Sequence, residues 1–323
     1  MARTDVLIVS LAGTAGLRAA DDALAGALRR GGASVATARV ARAREPRTFA
    51  LTDLAWAVPA RRAATAALRE PHPRAIVYSS STAALLWPEP GAIRFDAPAA
   101  GNRPGRHGVW QRPLERRRFG ASRLLLPWSD GALAEAPELH ARALVLPVPV
   151  ERSGAAAERD LAAITYGANP RKKGLDRVLS AWRAARRPGE TLVVAGLAGS
   201  DEEGIRHTGM IPAAEYRALL RRARVFVTAP RREDYGIAQL EALADGCLLV
   251  TTVSPGPYAA LPLARTLDQR LVGDDLATGV RLALDDQAPG YAERASAALA
   301  PWTPAAVDAI VRERVLPALL EGA

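Results

Sequence analysis

A chain of 323 residues with 49% hydrophobic and 24% charged side chains is too long for one hydrophobic core, so two domains of about 150 residues each are expected. That composition excludes a disordered or collagen-like chain, and no apolar run approaches the roughly 18 residues of a membrane-spanning helix. The net charge of +9 is uneven, because residues 1–150 carry 21 Arg against 12 acidic side chains while residues 151–323 carry 22 basic and 22 acidic ones. Of the 43 basic residues 41 are Arg, and Lys172 and Lys173 are the only lysines, a bias that reflects codon usage as much as function. One cysteine, Cys247, excludes an internal disulfide and suits a reducing cytoplasm. Its apolar surroundings in the sequence make it a small core residue.

In chain order, residues 6–11 form a short apolar run, which reads as a buried first strand rather than a signal-peptide core because acidic residues flank it. A small-residue turn at 12–16, a helix at 17–30 and a strand at 34–40 follow. A Pro-containing stretch near 147–149 and a small polar stretch at 151–160 mark the domain boundary, giving domains 1–150 and 151–323. The same β-turn-α-β unit then recurs, with a strand at 162–168, a polar turn at 169–174, a helix at 175–186 and a strand at 191–195. Helix 213–222, strand 225–228, helix 237–245 and strand 248–252 continue the alternation, and a helix at 304–320 closes the chain, expected to cross back onto the first domain. Short buried strands alternating with helices imply parallel sheets covered on both faces.

Ligands of open parallel sheets bind beyond the carboxyl ends of the strands, so the turns there are the places to look. The turn at 169–174 reads Asn-Pro-Arg-Lys-Lys-Gly. Three adjacent cations at a helix start oppose the macrodipole, and a bound phosphate would neutralise both. The second turn places Glu233 and Glu241 eight positions apart, with Gly236 between them opening a helix. Two carboxylates flanking free helix amides suit an extended ligand with hydroxyls at its ends and phosphates in the middle, as in a nucleotide-sugar.

These residues carry a resemblance. The stretch 164–252 resembles the donor domain of the family 4 retaining glycosyltransferases, whose GT-B fold consists of two Rossmann-like domains facing a cleft. The family's Glu-x7-Glu motif is matched by Glu233 and Glu241, its Lys-Gly by Lys173 and Gly174, and its base-binding turn by Gly209-Met210-Ile211-Pro212. In the first half Gly16 matches the second glycine of the family's Gly-Gly turn, and Ser129 resembles the serine after a late strand.

The resemblance implies transfer of a sugar, with retention, from a nucleotide diphosphate sugar (a UDP-sugar first among the candidates) to a small-molecule, lipid or carrier-bound acceptor. It implies that Glu241 holds the ribose, that Glu233 binds the donor sugar, and that Lys173 stabilises the leaving diphosphate. Gly236, Ile237 and Ala238 would offer amides to the phosphates, and Met210 would lie at the base. The family's phosphate-binding Arg aligns with Ala168, so Arg171 or Lys172 is the substitute. Its reaction-centre His aligns with Asp96, which would orient the acceptor hydroxyl or receive its proton, or else caps the turn before Pro98. Arg94, heading a stretch to Arg123 with eight Arg against two acidic residues, is assigned with Asp96 to the acceptor, implying an anionic acceptor, peripheral contact with the inner membrane face, or a merely solvated loop. No metal or other cofactor is expected, since the four His, at 72, 107, 140 and 207, lack ligand spacing. A nicotinamide dehydrogenase fits poorly, as G-x-G-x-x-G is missing after the first strand, and no nucleic-acid motif accompanies the charge. A non-catalytic nucleotide-sugar-binding or partner subunit with the same fold is the competing reading.

Overall fold

The computed structural model describes residues 4–40, 49–69, 72–136 and 142–321. They divide into two compact units, Met1–Pro149 with Pro304–Ala323, and Val150–Thr303. The first unit is built on a five-stranded sheet, β1 (Val6–Ser10), β2 (Val35–Arg39), β3 (Ala75–Tyr78), β4 (Ala92–Phe95) and β5 (Leu124–Pro127), in the order β2-β1-β3-β4-β5. The second holds β6 (Leu161–Tyr166), β7 (Leu192–Ala195), β8 (Ile205–Gly209), β9 (Ala223–Thr228) and β10 (Leu248–Thr251), in the order β10-β9-β6-β7-β8. Every pairing is parallel, as helical crossovers require.

Strand alternation divides the first unit's core into two layers. On one face Val6 and Ile8 pack with Leu24 and Leu28 of the helix Ala15–Arg30 and with Val307, Val311, Val315, Leu316 and Leu319 from the end of the chain. On the other face Leu7 and Val9 join Trp56, Trp87, Ile93, Phe95 and Phe119. The terminal helix runs as Pro304–Ile310, a wider π turn at Val311–Val315, and Leu316–Leu320. Pro317 explains the widening, because its ring cannot donate an amide and crowds the carbonyl four residues back. Arg30 ties this helix down with two bonds to Asp308, at 2.6 and 2.8 Å.

The turn at 169–174 differs from the sequence expectation. Pro170–Lys173 form their own helical turn, ended by the left-handed Gly174, before the helix Leu175–Ala185 begins with Asp176 in its first turn. The three cations therefore sit at the C-terminal end of a turn, where carbonyls favour positive charge, and do not oppose a helix start.

Candidate active site

In the second sheet the chain runs outward from β6 through β7 to β8, then returns to place β9 on the other side of β6. The direction reverses between β6 and β9, and the loops after these two strands flank the crevice that such a reversal opens. Those loops are 167–174 and 229–236, the two segments singled out from sequence.

The loops are stitched together. Arg231 N–H donates to Lys172 O at 2.9 Å, and Arg231 Nη1 donates to Arg171 O at 3.0 Å. Gly174 adopts φ +62, and a Cβ there would lie 1.9 Å from Ala229 O, so only glycine lets the loops approach this closely. Lys173 Nζ thereby reaches Glu233 Oε2 at 2.6 Å, and Gln239 Nε2 donates to the same oxygen at 2.9 Å. Glu233 is 4% exposed, and its carboxylate is compensated on both sides. From beneath, Pro255 O accepts its backbone N–H at 3.0 Å.

Beside it, Asp234 takes Lys172 at 2.5 Å and Arg232 at 2.7 Å. Burial raises its carboxyl, but the two cations outweigh burial and hold it below the usual range. Gly236, at φ +93, starts the helix Ile237–Ala244, whose first turn has no side-chain cap and no acidic residue. The amides of Ile237 and Ala238 thus face out of the helix end between the two glutamates. Glu241 is one turn inside, a quarter exposed, with Arg217 Nη1 at 3.5 Å from Oε1. Burial pushes its carboxyl above the ordinary value, Arg217 opposes this, and Asp245 adds to it. Arg217 is itself fixed by the fully buried Asp245 at 2.6 Å and by Glu151 O at 2.7 Å.

Arg171 is exposed, and Met210, just past β8, is 73% exposed. Asp234, Gln239, Arg217 and Asp245 were not identified from sequence. Asp234 lies next to Glu233 and could have been paired with Lys172 once the two loops were taken together. Nothing in the spacing announces Arg217 or Gln239.

The first sheet reverses between β1 and β3. Gly16 lies in the first turn of the helix that follows β1, capped by Thr14, whose hydroxyl accepts Leu17 N–H. Ala12 in that loop is left-handed at φ +50, an unfavourable conformation for a residue with a Cβ. Asp96 follows β4 half-buried, and its Oδ1 accepts Ala97 N–H at 2.9 Å, so it does cap its own turn. Ser129 likewise caps the helix Asp130–Ala134.

Arg94 corrects the expectation of an acceptor-facing cation. It is 1% exposed, donates to Ala20 O at 3.0 Å, stacks over Trp128 at 4.9 Å and lies 3.9 Å from Asp21. Odd and even positions of a strand face opposite layers, and Arg94 is on the side covered by the first helix. Asp21, 3% exposed, is raised by burial, opposed by the hydroxyls of Ser10 and Ser79 and by Arg94. Other arginines of the basic stretch also serve the fold. Arg103 makes a two-pronged bond to Asp53 at 2.8 and 3.0 Å, Arg112 bonds the carbonyls of Arg103 and Gly105, and Arg118 bonds Leu85 O. Arg106, Arg116, Arg117 and Arg123 are exposed.

Among the described residues no group of three or more His, Cys, Asp or Glu could hold a metal ion; His140 lies outside them. No described helix is long and apolar enough to cross a membrane.

No curated protein matches the chain. Solved structures do, at low identity and nearly full length. WaaG, a glycosyltransferase involved in lipopolysaccharide biosynthesis, is 14% identical over 95% of this chain and 99% of its own, with a TM-score of 0.70. Anabaena HepE, solved in complex with UDP and glucose, is 12% identical over 97% and 99%, with a TM-score of 0.68. The α,α-trehalose 6-phosphate synthase of Burkholderia multivorans is 15% identical over 99% of each chain, with a TM-score of 0.65. The fold is therefore GT-B, with two Rossmann-like units. The candidate site falls inside the one stretch with a family match: residues 150–294, Lys173, Glu233 and Glu241 among them, match the model of Glycosyl transferases group 1.

Proposed function

We propose that this chain is a retaining glycosyltransferase that moves a hexose from a UDP-sugar, bound by the second unit, to an acceptor bound by the first. The observation that carries this reading is the 2.6 Å Lys173–Glu233 pair beside an uncapped helix start, at the point where the sheet reverses. A sugar hydroxyl donating to Glu233 and a diphosphate oxygen accepting from Lys173 would replace the pair's mutual contact with two of the same kind. Glu241, held by Arg217, would accept from the ribose hydroxyls.

As the bond from the anomeric carbon to the diphosphate breaks, charge grows on the departing oxygen. Lys173 and the amides of Ile237 and Ala238, already fixed, stabilise that charge more than they stabilise the intact donor. The acceptor oxygen then bonds to the anomeric carbon on the face the diphosphate leaves. Its proton passes to the departing oxygen. No side chain needs to form a covalent intermediate, and the scheme uses no metal. Arg171 or Lys172 would supply the second phosphate contact. The exposed arginines of the first unit favour an anionic acceptor, and a cytoplasmic site with peripheral contact to an anionic membrane face accords with the same charge.

The test is UDP release from a panel of UDP-sugars with and without acceptors, with the anomeric coupling of the product read by NMR. Lys173→Ala should lower turnover by roughly 10²-fold or more, as loss of one fixed donor in a buried site does, and Glu233→Gln, which removes the charge that accepts from the sugar hydroxyl, should lower it as well. Glu241→Ala should weaken UDP binding and leave the chemical step nearer normal. Absence of UDP-sugar binding, or wild-type turnover in both of the first two variants, would remove the assignment. An inverted product would remove retention alone.

A further inference from the structure

At the opposite edge of the second sheet, where β6, β7, β8 and β9 begin, lies a cavity of about 390 Å³, the size of many small-ligand sites. Its strands are six residues or fewer, so it is about 20 Å or less from the loops just described, but on the other side of the sheet edge to edge. Arg159, Arg206 and Arg224 line it, with Asp160, Glu190 and Thr191.

Both carboxylates are matched to arginines that do not line the cavity. Asp160 is gripped by Arg222 through two nitrogens; Arg222 foremost, and Arg206 more remotely, hold its carboxyl below the usual range. Glu190 takes Arg281 at 2.6 and 3.2 Å. Among the described residues the three lining arginines have no carboxylate partner within ion-pair distance. Arg159 donates to Ala223 O and Asp245 O, Arg224 donates to Leu284 O, and Arg206 is exposed. Bonding to carbonyls orients a guanidinium without cancelling its charge. Three arginines round one concave site, beside an Asp160 and a Glu190 that already have arginine partners, leave an excess of positive charge that an anion would offset.

We propose that this cavity binds a phosphorylated small molecule, its phosphate held by Arg206 and Arg224 with Arg159 behind. Guanidinium forks bind the oxygens of a phosphate in two-pronged fashion. The volume exceeds that of phosphate, which leaves room for a sugar-sized body beside Thr191. Gly189, at the rim with φ +86, has no atom within 4 Å of where a Cβ would lie, so the entrance is open. The site is distinct from the donor loops and stands whether or not the chain transfers sugar.

The test is calorimetric titration of the full chain with glucose 6-phosphate and, separately, with inorganic phosphate. Saturable binding of glucose 6-phosphate is expected, tenfold or more weaker in Arg206→Glu and unchanged in Lys173→Ala. Equal affinity for inorganic phosphate would support the site and identify free phosphate as its ligand. Among the described residues the exposed Arg206 side chain has no hydrogen-bond partner to lose, so Arg206→Glu should melt with the wild type, and Arg206→Ala repeats the measurement without reversing the charge. Absence of saturable binding of either probe, full affinity in both Arg206 variants, or loss of binding in Lys173→Ala would overturn the proposal.

Discussion

Replacing Gly174 by Ala should damage the second unit in two separable ways. The first is conformational, because an Ala held at φ +62 costs about 1 kcal/mol. The second is steric. A Cβ 1.9 Å from Ala229 O forces the two loops apart by about 1 Å, which breaks the Arg231-to-Lys172 backbone bond, worth about 1 kcal/mol. The partly buried Lys173–Glu233 contact would lose roughly another 1 kcal/mol. The sum is about 3 kcal/mol, or roughly 6–12 °C in the melting temperature of a unit this size. Gly290→Ala is the control. Its φ is +63, yet the nearest atoms to a Cβ lie at 3.7 Å, so it should cost only the conformational part, about 2–4 °C. Differential scanning calorimetry of the two variants measures the difference. UDP titration then reads the site itself, where a shift of about 1 Å can reduce function by roughly 10²-fold. Equal melting shifts in the two variants would show that the close approach of the loops has no energetic weight.

Two further outcomes follow from buried ionisable groups. Burial pushes the Glu115 carboxyl up to about 7, with the Ser81 hydroxyl and the Ala99 N–H opposing. The folded chain therefore keeps a proton that the unfolded chain has released, and the stabilisation present below the unfolded value is lost as pH rises towards 7. The loss amounts to about 3 kcal/mol. Urea denaturation from pH 5 to pH 8 should show this decline in the wild type and a flatter profile in Glu115→Gln; parallel profiles would contradict it. Cys247 is fully buried, and burial pushes its thiol up to about 12, so a thiol-specific chromogenic reagent should label the chain only in denaturant. Labelling of the native protein at the rate of a free thiol would mean that the strand β10 region opens readily.

The alternation of strands and helices was legible because buried parallel strands are continuous apolar runs, as in 6–11 and 248–252. The helix 213–222 was bounded without error, since Pro212 precedes it and an apolar face runs through it. The four-residue strands β3, β4 and β5 were not delimited in the first half, where short apolar runs do not differ in period from helix segments. At the site, the motif residues were visible because loop and helix start are consecutive in sequence. Their partners were not. Arg217 meets Glu241 and Asp245 through packing of one helix on another, a contact that no local spacing encodes. Arg94 was misplaced for the opposite reason: a count of charges treats every arginine as solvated, whereas this one is buried by the strand's alternation and held by Ala20 O, the Trp128 ring and Asp21.

The order in which the chain is made has a consequence for the first unit. One face of its sheet is covered by Val307, Val311, Val315, Leu316 and Leu319, residues that a ribosome adds only after the whole of Val150–Thr303. At ordinary elongation rates that interval lasts on the order of ten to thirty seconds. During it the nascent first unit carries an uncovered apolar layer, and by its end the second unit has every strand and helix it needs. Native-like protection of the second unit should therefore come first on the ribosome, and the earlier-made half should depend longer on chaperones. A stalled chain ending near residue 300 would be half finished at its beginning and nearly complete at its end.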